Sequence, residues 1–169
     1  MLMFLRHLLA ILLLPGMVTV VVPAWILSSY AARDSRWAGD GALVWLARAA
    51  GIDLMVGGTA LFIWCVSLFA QVGRGTLAPW DPTQQVVAVG PYRWTRNPMI
   101  SAVATILTGE ALFWGSWRLA LWAGIFVAIN HAYFILVEEP GLRLRFGESY
   151  QAYAARVPRW LPRLRRGRE

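Results

Sequence analysis

The chain has 169 residues, 58% of them hydrophobic and only 15% charged, with a mean hydropathy of +0.51. That combination excludes an ordinary soluble domain or a disordered chain and fits a membrane protein of one domain over residues 1–169. All sixteen basic residues are arginine, against nine acids, and the net charge of +7 points to anionic lipid headgroups rather than to nucleic acid.

A membrane span requires about 20 mostly apolar residues. His7 to Ser29 meets this, with Pro15 and Pro23 as kinks that membrane helices tolerate. Its apolar run is longer than a signal-peptide core and no small-residue cleavage pattern follows, so a retained helix over 7–29 is expected. Leu43 to Ala70 holds a second span, expected to begin near Ala49 because Arg48 belongs at the interface, giving 49–70. Residues 99–116 and 118–137 form the third and fourth. Gly115-Ser116-Trp117 joins them, which predicts a tight helical hairpin. Trp25, Trp45, Trp114 and Trp117 fall at span ends, as an aromatic belt requires. The single cysteine, Cys65, lies in an apolar run and reads as a buried small hydrophobe; no disulfide, zinc or other metal framework is expected.

Four spans place twelve arginines on one side of the bilayer and four on the other. The positive-inside rule then makes the richer side cytoplasmic, with both termini inside. An integral position in a bacterial inner membrane is expected. The loop 71–98 and the tail 138–169 consequently share the cytoplasmic face.

Both cytoplasmic segments are unusual. The loop carries "VVAVGPYRWTRNPM" from Val86 to Met99, and long ordered loops tend to be functional. Pro91 sets the turn before Tyr92, and Pro98 suits the first turn of the third span. Arg93 and Arg96 suit a carboxylate or phosphate, or simply flank the membrane. In the tail, Leu142, Phe146, Tyr150, Tyr153 and Val157 form one apolar stripe on an amphipathic helix beginning near Pro140, able to lie on the membrane or close over the loop. The final "RWLPRLRRGRE" reads as a mobile basic tail for anionic lipid.

Glu138 and Glu139 are adjacent, so on a helix they point about 100° apart and cannot serve one ligand in the same way. Glu139 has a surface alternative, a pair with Arg143 one turn later. Glu110 lies inside the third span, where an acid is either functional or structurally paired. His131, seven positions before Glu138, is a packed histidine or a substrate contact. Glu110 and His131 are the candidates for a general base. The residues alone thus reach an all-α polytopic membrane protein of four transmembrane helices, a C-terminal amphipathic helix and a small polar site facing the cytoplasm.

The segments "GRGTLAPWDP", "GPYRWTRNPM" and "EEPGLRLRFGESYQAYAARVPRWLP" resemble the integral-membrane methyltransferases related to isoprenylcysteine carboxyl methyltransferase and phospholipid N-methyltransferase. The resemblance covers Gly73 to Pro162, including the order of the motifs and the hairpin length. It implies an S-adenosylmethionine site at the cytoplasmic face and a lipid or other apolar membrane-borne acceptor. Carried over by position, Gln85, Val86, Val87 and Tyr92 would line the adenosine pocket, and Arg96, Asn97 and Pro98 would add contacts. Glu138 would hold the cofactor, with Glu139 as its neighbour. Two positions depart from the pattern. Ile100 stands where the family has a tyrosine, and Phe134 stands where the isoprenylcysteine enzymes place an arginine for the substrate carboxylate. Phe134 argues against a prenylated-cysteine carboxylate. The competing readings are a nicotinamide-dependent membrane reductase and a non-catalytic small membrane subunit.

Overall fold

The computed structural model describes residues 12–30, 37, 39–73 and 86–160. Among these, every regular element is a helix. The start of the first expected span, Gln85, most of "GRGTLAPWDP" and the last nine residues lie outside the described set.

The first helix enters through wide π-helical turns, Leu12–Val21, and continues as α1, Val22–Ser29. Pro15 sits in these wide turns. Helix α2 runs Ala42–Leu68 and exits through further wide turns, Phe69–Gly73. The helix extends seven residues ahead of Ala49, the expected start of the span. Arg48 is accommodated inside the helix, its guanidinium 5.3 Å from the Trp45 ring centroid.

Helices α3 (Pro98–Trp114) and α4 (Trp117–Tyr133) form the expected hairpin. Gly115 adopts φ 65°, a left-handed cap that closes α3 with Ser116 N–H bonding Ala111 O at 3.0 Å. Ser116 then caps α4, its hydroxyl accepting from Leu119 N at 3.2 Å.

The long helix does not stop where the fourth span was expected to end. From α4 it passes through wide turns at Phe134–Glu138 into α5, Glu139–Arg156. Pro140 lacks an N–H and would clash with a carbonyl one turn back in a regular helix; the wide turns just before it relieve both problems. The apolar run ends at Val137, and α5 continues α4 as a more polar extension. It bends at Gly147, whose φ of 53° suits glycine.

Helices α2 and α3 pack along a seam of small residues. Gly51, Gly58 and Cys65 are buried on α2 at seven-residue spacing, the repeat that keeps one face on an inclined partner. A methyl group on Gly51 would meet Gly109 O at 2.7 Å, and one on Gly58 would meet Ala102 O at 2.9 Å. Val103, Leu107, Ala123 and Phe126 fill the α3–α4 contact, and Ile26, Ala111 and Leu119 join α1 to it. Trp25, Leu46, Val56, Ile63, Ile129 and Leu136 face outward. In the most apolar stretch of each long helix only 17% is buried inside the molecule. So much exposed apolar surface suits lipid, not water.

Candidate functional site

The loop and α5 meet beside the end of α2. Val86 packs against the stripe of Tyr150, Tyr153 and Val157 together with Leu142 and Phe146. The stripe covers the loop and is not free to lie on the membrane. Gly90–Arg93 makes one tight 3-10 turn around Pro91, burying Tyr92 against Phe69, ring centroids 5.5 Å apart, and Cys65.

After α5 the chain folds back across the loop. Arg96 N–H donates to Pro158 O at 2.9 Å. Thr95 Oγ1 and Asn97 Nδ2 both donate to Arg159 O, at 2.8 and 3.3 Å. Tyr153 Oη donates to Tyr92 O at 2.8 Å. This strap, Val157–Trp160, therefore belongs to the site, which corrects the reading of Arg159 and Trp160 as part of a mobile basic tail.

A pocket opens between these pieces, enclosing about 570 Å³ that includes its mouth. Its walls include Val86, Val87, Tyr92, Arg96, Asn97, Glu138 and Glu139, all singled out in the sequence. Phe69, Phe134, Leu142, Phe146, Tyr150 and Tyr153 supply apolar and aromatic surface. Pro98 is fully buried at the start of α3 and serves as its first-turn residue rather than a wall. Gln85 lies outside the described residues.

The two glutamates have separate environments. Glu139 is buried, with Arg159 Nε at 2.6 Å from Oε1, Arg159 Nη2 at 3.0 Å from Oε2, and Arg96 Nη1 at 3.1 Å from Oε1. Against the cost of its burial, those guanidiniums hold its carboxyl below the usual range. The expected partner Arg143 is exposed and contributes only from a distance. Glu138 is half-buried on the pocket wall, and no hydrogen bond or ion pair reaches it from the described residues. Burial, aided by the charge of Glu139, pushes its carboxyl up to about 7. Two further polar atoms in this region are buried without a hydrogen-bond partner, Arg96 Nε and Tyr92 Oη, the latter with the weakly bonding Cys65 thiol beside it.

Glu110 is not brought to the pocket. It lies twelve residues along α3 from Pro98, about 18 Å at helical rise, near the opposite end. Its distance removes it as a base for chemistry in this pocket. His131 is exposed on α4, its Nδ1 accepting from Trp160 Nε1 at 3.0 Å. Ile100 packs beside the α3–α4 core, whereas Phe134 reaches the pocket wall. Among the described residues no cluster of metal-ligating side chains occurs. Arg159 escaped the sequence reading, its only signal being the valine-proline pair that precedes it.

No curated protein and no solved structure matches the chain significantly. A family model, phospholipid methyltransferase, matches residues 46–149. The match spans most of α2, the loop, the hairpin and most of α5, and with them every pocket residue named above except Tyr150 and Tyr153. Extending over more than half of the chain, it shows that the protein belongs to the phospholipid methyltransferase family, methyltransferases of membrane lipids.

Proposed function

We propose that the protein transfers the methyl group of S-adenosylmethionine to the headgroup amine of a phospholipid at the cytoplasmic face of the membrane. The observation that carries this reading is Glu138, a pocket carboxylate without a partner, next to a glutamate already satisfied by two arginines. A pocket acid that no hydrogen bond or ion pair reaches is suited to receive a cation.

The pocket fits the cofactor in kind. Glu138 would hold a positively charged group, Arg96 through its unpartnered Nε would hold a carboxylate, and Tyr92, Phe69 and Phe146 would flank an aromatic base. When bound, S-adenosylmethionine supplies a methyl group already activated by its sulfonium. The chain's own contribution is placement: α4 and α5 would align a neutral amine with that carbon, and the strap would exclude water. The acceptor amine leaves its proton to bulk water before it enters, so no protein base is required in the pocket. The twelve-to-four arginine asymmetry supports a cytoplasmic pocket and cytoplasmic termini.

Calorimetric titration of the detergent-purified protein with S-adenosylmethionine and with a reduced nicotinamide cofactor tests the site. Binding of the first alone is expected. Transfer of radiolabelled methyl into phospholipid then tests the reaction, and label confined to protein would overturn the acceptor class.

A further inference from the structure

Trp160 and His131 make a contact that the reaction above does not use. An indole N–H only donates, so the ring nitrogen 3.0 Å away, His131 Nδ1, must hold its lone pair toward Trp160. In the neutral ring the proton then sits on Nε2. Nδ1 is occupied, Nε2 carries hydrogen, and the ring offers no free lone pair. His131 is thus arranged to donate a hydrogen bond through Nε2.

The tautomer is set by the same strap that closes the pocket. Trp160 packs on Phe134, ring centroids 5.5 Å apart, and on His131 at 6.0 Å. The preceding residue, Arg159, grips Glu139. Along the long helix, His131 precedes Glu138 by seven residues with the wide turns of Phe134–Glu138 between them, so it sits somewhat under two turns farther toward the membrane. Phe134 lies between them on the pocket wall. His131 is exposed, and so are the apolar Ile129, Ile135 and Leu136 around it. No described residue accepts from Nε2. An N–H facing lipid without an acceptor is costly, so this donor wants a lipid oxygen.

We propose that His131, fixed as the Nε2–H tautomer by Trp160, binds a phosphodiester oxygen of the acceptor phospholipid at the membrane-side mouth of the pocket and so presents the headgroup amine to the methyl donor. The inference rests on the phospholipid reading above and names how the acceptor is recognised. His131 is a binding residue for the acceptor, and Trp160 positions it. In a phospholipid the phosphate is the strongest acceptor near the amine, and a hydrogen bond to a charged acceptor is the stronger kind.

The test compares two acceptors in mixed micelles, phosphatidylethanolamine and a long-chain primary amine that lacks phosphate. His131→Ala is expected to raise KM for phosphatidylethanolamine about tenfold, the loss of one hydrogen bond to a charged group, with kcat within about twofold. KM for the simple amine should stay unchanged. His131→Gln, whose amide can both accept from Trp160 and donate onward, should restore most of the affinity. Trp160→Phe keeps the ring packing, loses the indole donor and should show a milder KM increase. An equal KM change with both acceptors, an unchanged KM, or a loss of kcat with an altered acid limb of the pH profile would each overturn the proposal. Native mass spectrometry of phosphatidylethanolamine retention without methyl donor supplies a readout independent of turnover. Reduced retention in His131→Ala, recovered in His131→Gln, supports the site, and equal retention in all variants refutes it. If the unaltered protein methylates neither acceptor, the reaction assignment fails while the retention measurement still decides the binding site.

Discussion

Arg159 and Glu139 face each other through two parallel hydrogen bonds, 2.6 Å from Nε to Oε1 and 3.0 Å from Nη2 to Oε2, across twenty residues of chain. Arg96, from the loop, approaches the same carboxylate at 3.1 Å. One buried acid thus joins the long helix, the loop and the strap. Removing it strands two guanidiniums, whereas removing Arg159 still leaves Glu139 paired with Arg96. Glu139→Ala should therefore destabilise by about 3 kcal/mol and Arg159→Ala, on the more exposed partner, by about 1 kcal/mol. Thermal unfolding in detergent reads the order, and equal shifts would contradict the shared-acid arrangement.

Glu138 should behave in the opposite way. It has no partner to lose, and its charge opposes that of Glu139. Glu138→Gln is expected to leave the unfolding temperature unchanged or slightly raised while weakening S-adenosylmethionine binding by about tenfold to a hundredfold, as for a hydrogen bond to a charged group. Calorimetry on the variant separates the two effects. Wild-type affinity would remove Glu138 from the cofactor site.

Binding should also depend on pH in a direction set by that residue. Burial raises the Glu138 carboxyl to about 7, and a cation binds only the ionised form. Around it stand Glu139, Arg96 and Arg159, with the Tyr92, Tyr150 and Tyr153 hydroxyls, which burial keeps protonated in this range. Affinity for the cofactor should rise about tenfold per pH unit between pH 5.5 and 6.5 and level above 7. The sign for the free protein is reversed: an acid with a raised folded-state pKa favours folding when protonated, so its contribution falls as pH rises from about 4.5 through 7. A pH-independent Kd between 5.5 and 7.5 would contradict the assignment.

The parts of this molecule legible in the sequence are those encoded by neighbours in the chain. Gly115 and Ser116 announce the hairpin because a left-handed cap and a hydroxyl N-cap are local chemistry. Leu142, Phe146, Tyr150, Tyr153 and Val157 announce a buried face because helical period is local too. That Glu138 and Glu139 would part company followed from their 100° separation, and the structure gives one to the arginines and leaves the other to the pocket. Arg159 was illegible because its partners Glu139, Asn97 and Thr95 lie twenty, sixty-two and sixty-four residues away, and only the valine-proline pair before it sets it apart from the other arginines of the tail. The helical residues of α2 ahead of Ala49 were not read because Arg48 looks like an interface residue; in the structure its guanidinium lies over the Trp45 ring. Glu110 stood open between a functional and a structural role on hydropathy alone; the course of α3 away from the pocket places it near the far end.

The glycine seam offers a test of how the bundle holds the pocket in shape. Gly57 and Gly58 are adjacent on α2, at the same depth, yet Gly57 faces open space whereas a methyl group on Gly58 would press on Ala102 O at 2.9 Å and Ile106 Cγ1 at 2.8 Å. The isoleucine tip can rotate away, but the Ala102 carbonyl is helix backbone and must move with α3. Gly58→Ala should therefore cost about 1–3 kcal/mol, as overpacking does, whereas Gly57→Ala should stabilise by a few tenths to about 1 kcal/mol through helix propensity. Because α2 carries Phe69 and α3 begins just after Arg96 and Asn97, wedging the helices apart at Gly58 separates two walls of the pocket. Gly58→Ala should then weaken cofactor binding as well as lower the unfolding temperature, with Gly57→Ala as the matched control. If both variants unfold and bind alike, the α2–α3 seam does not set the pocket's width.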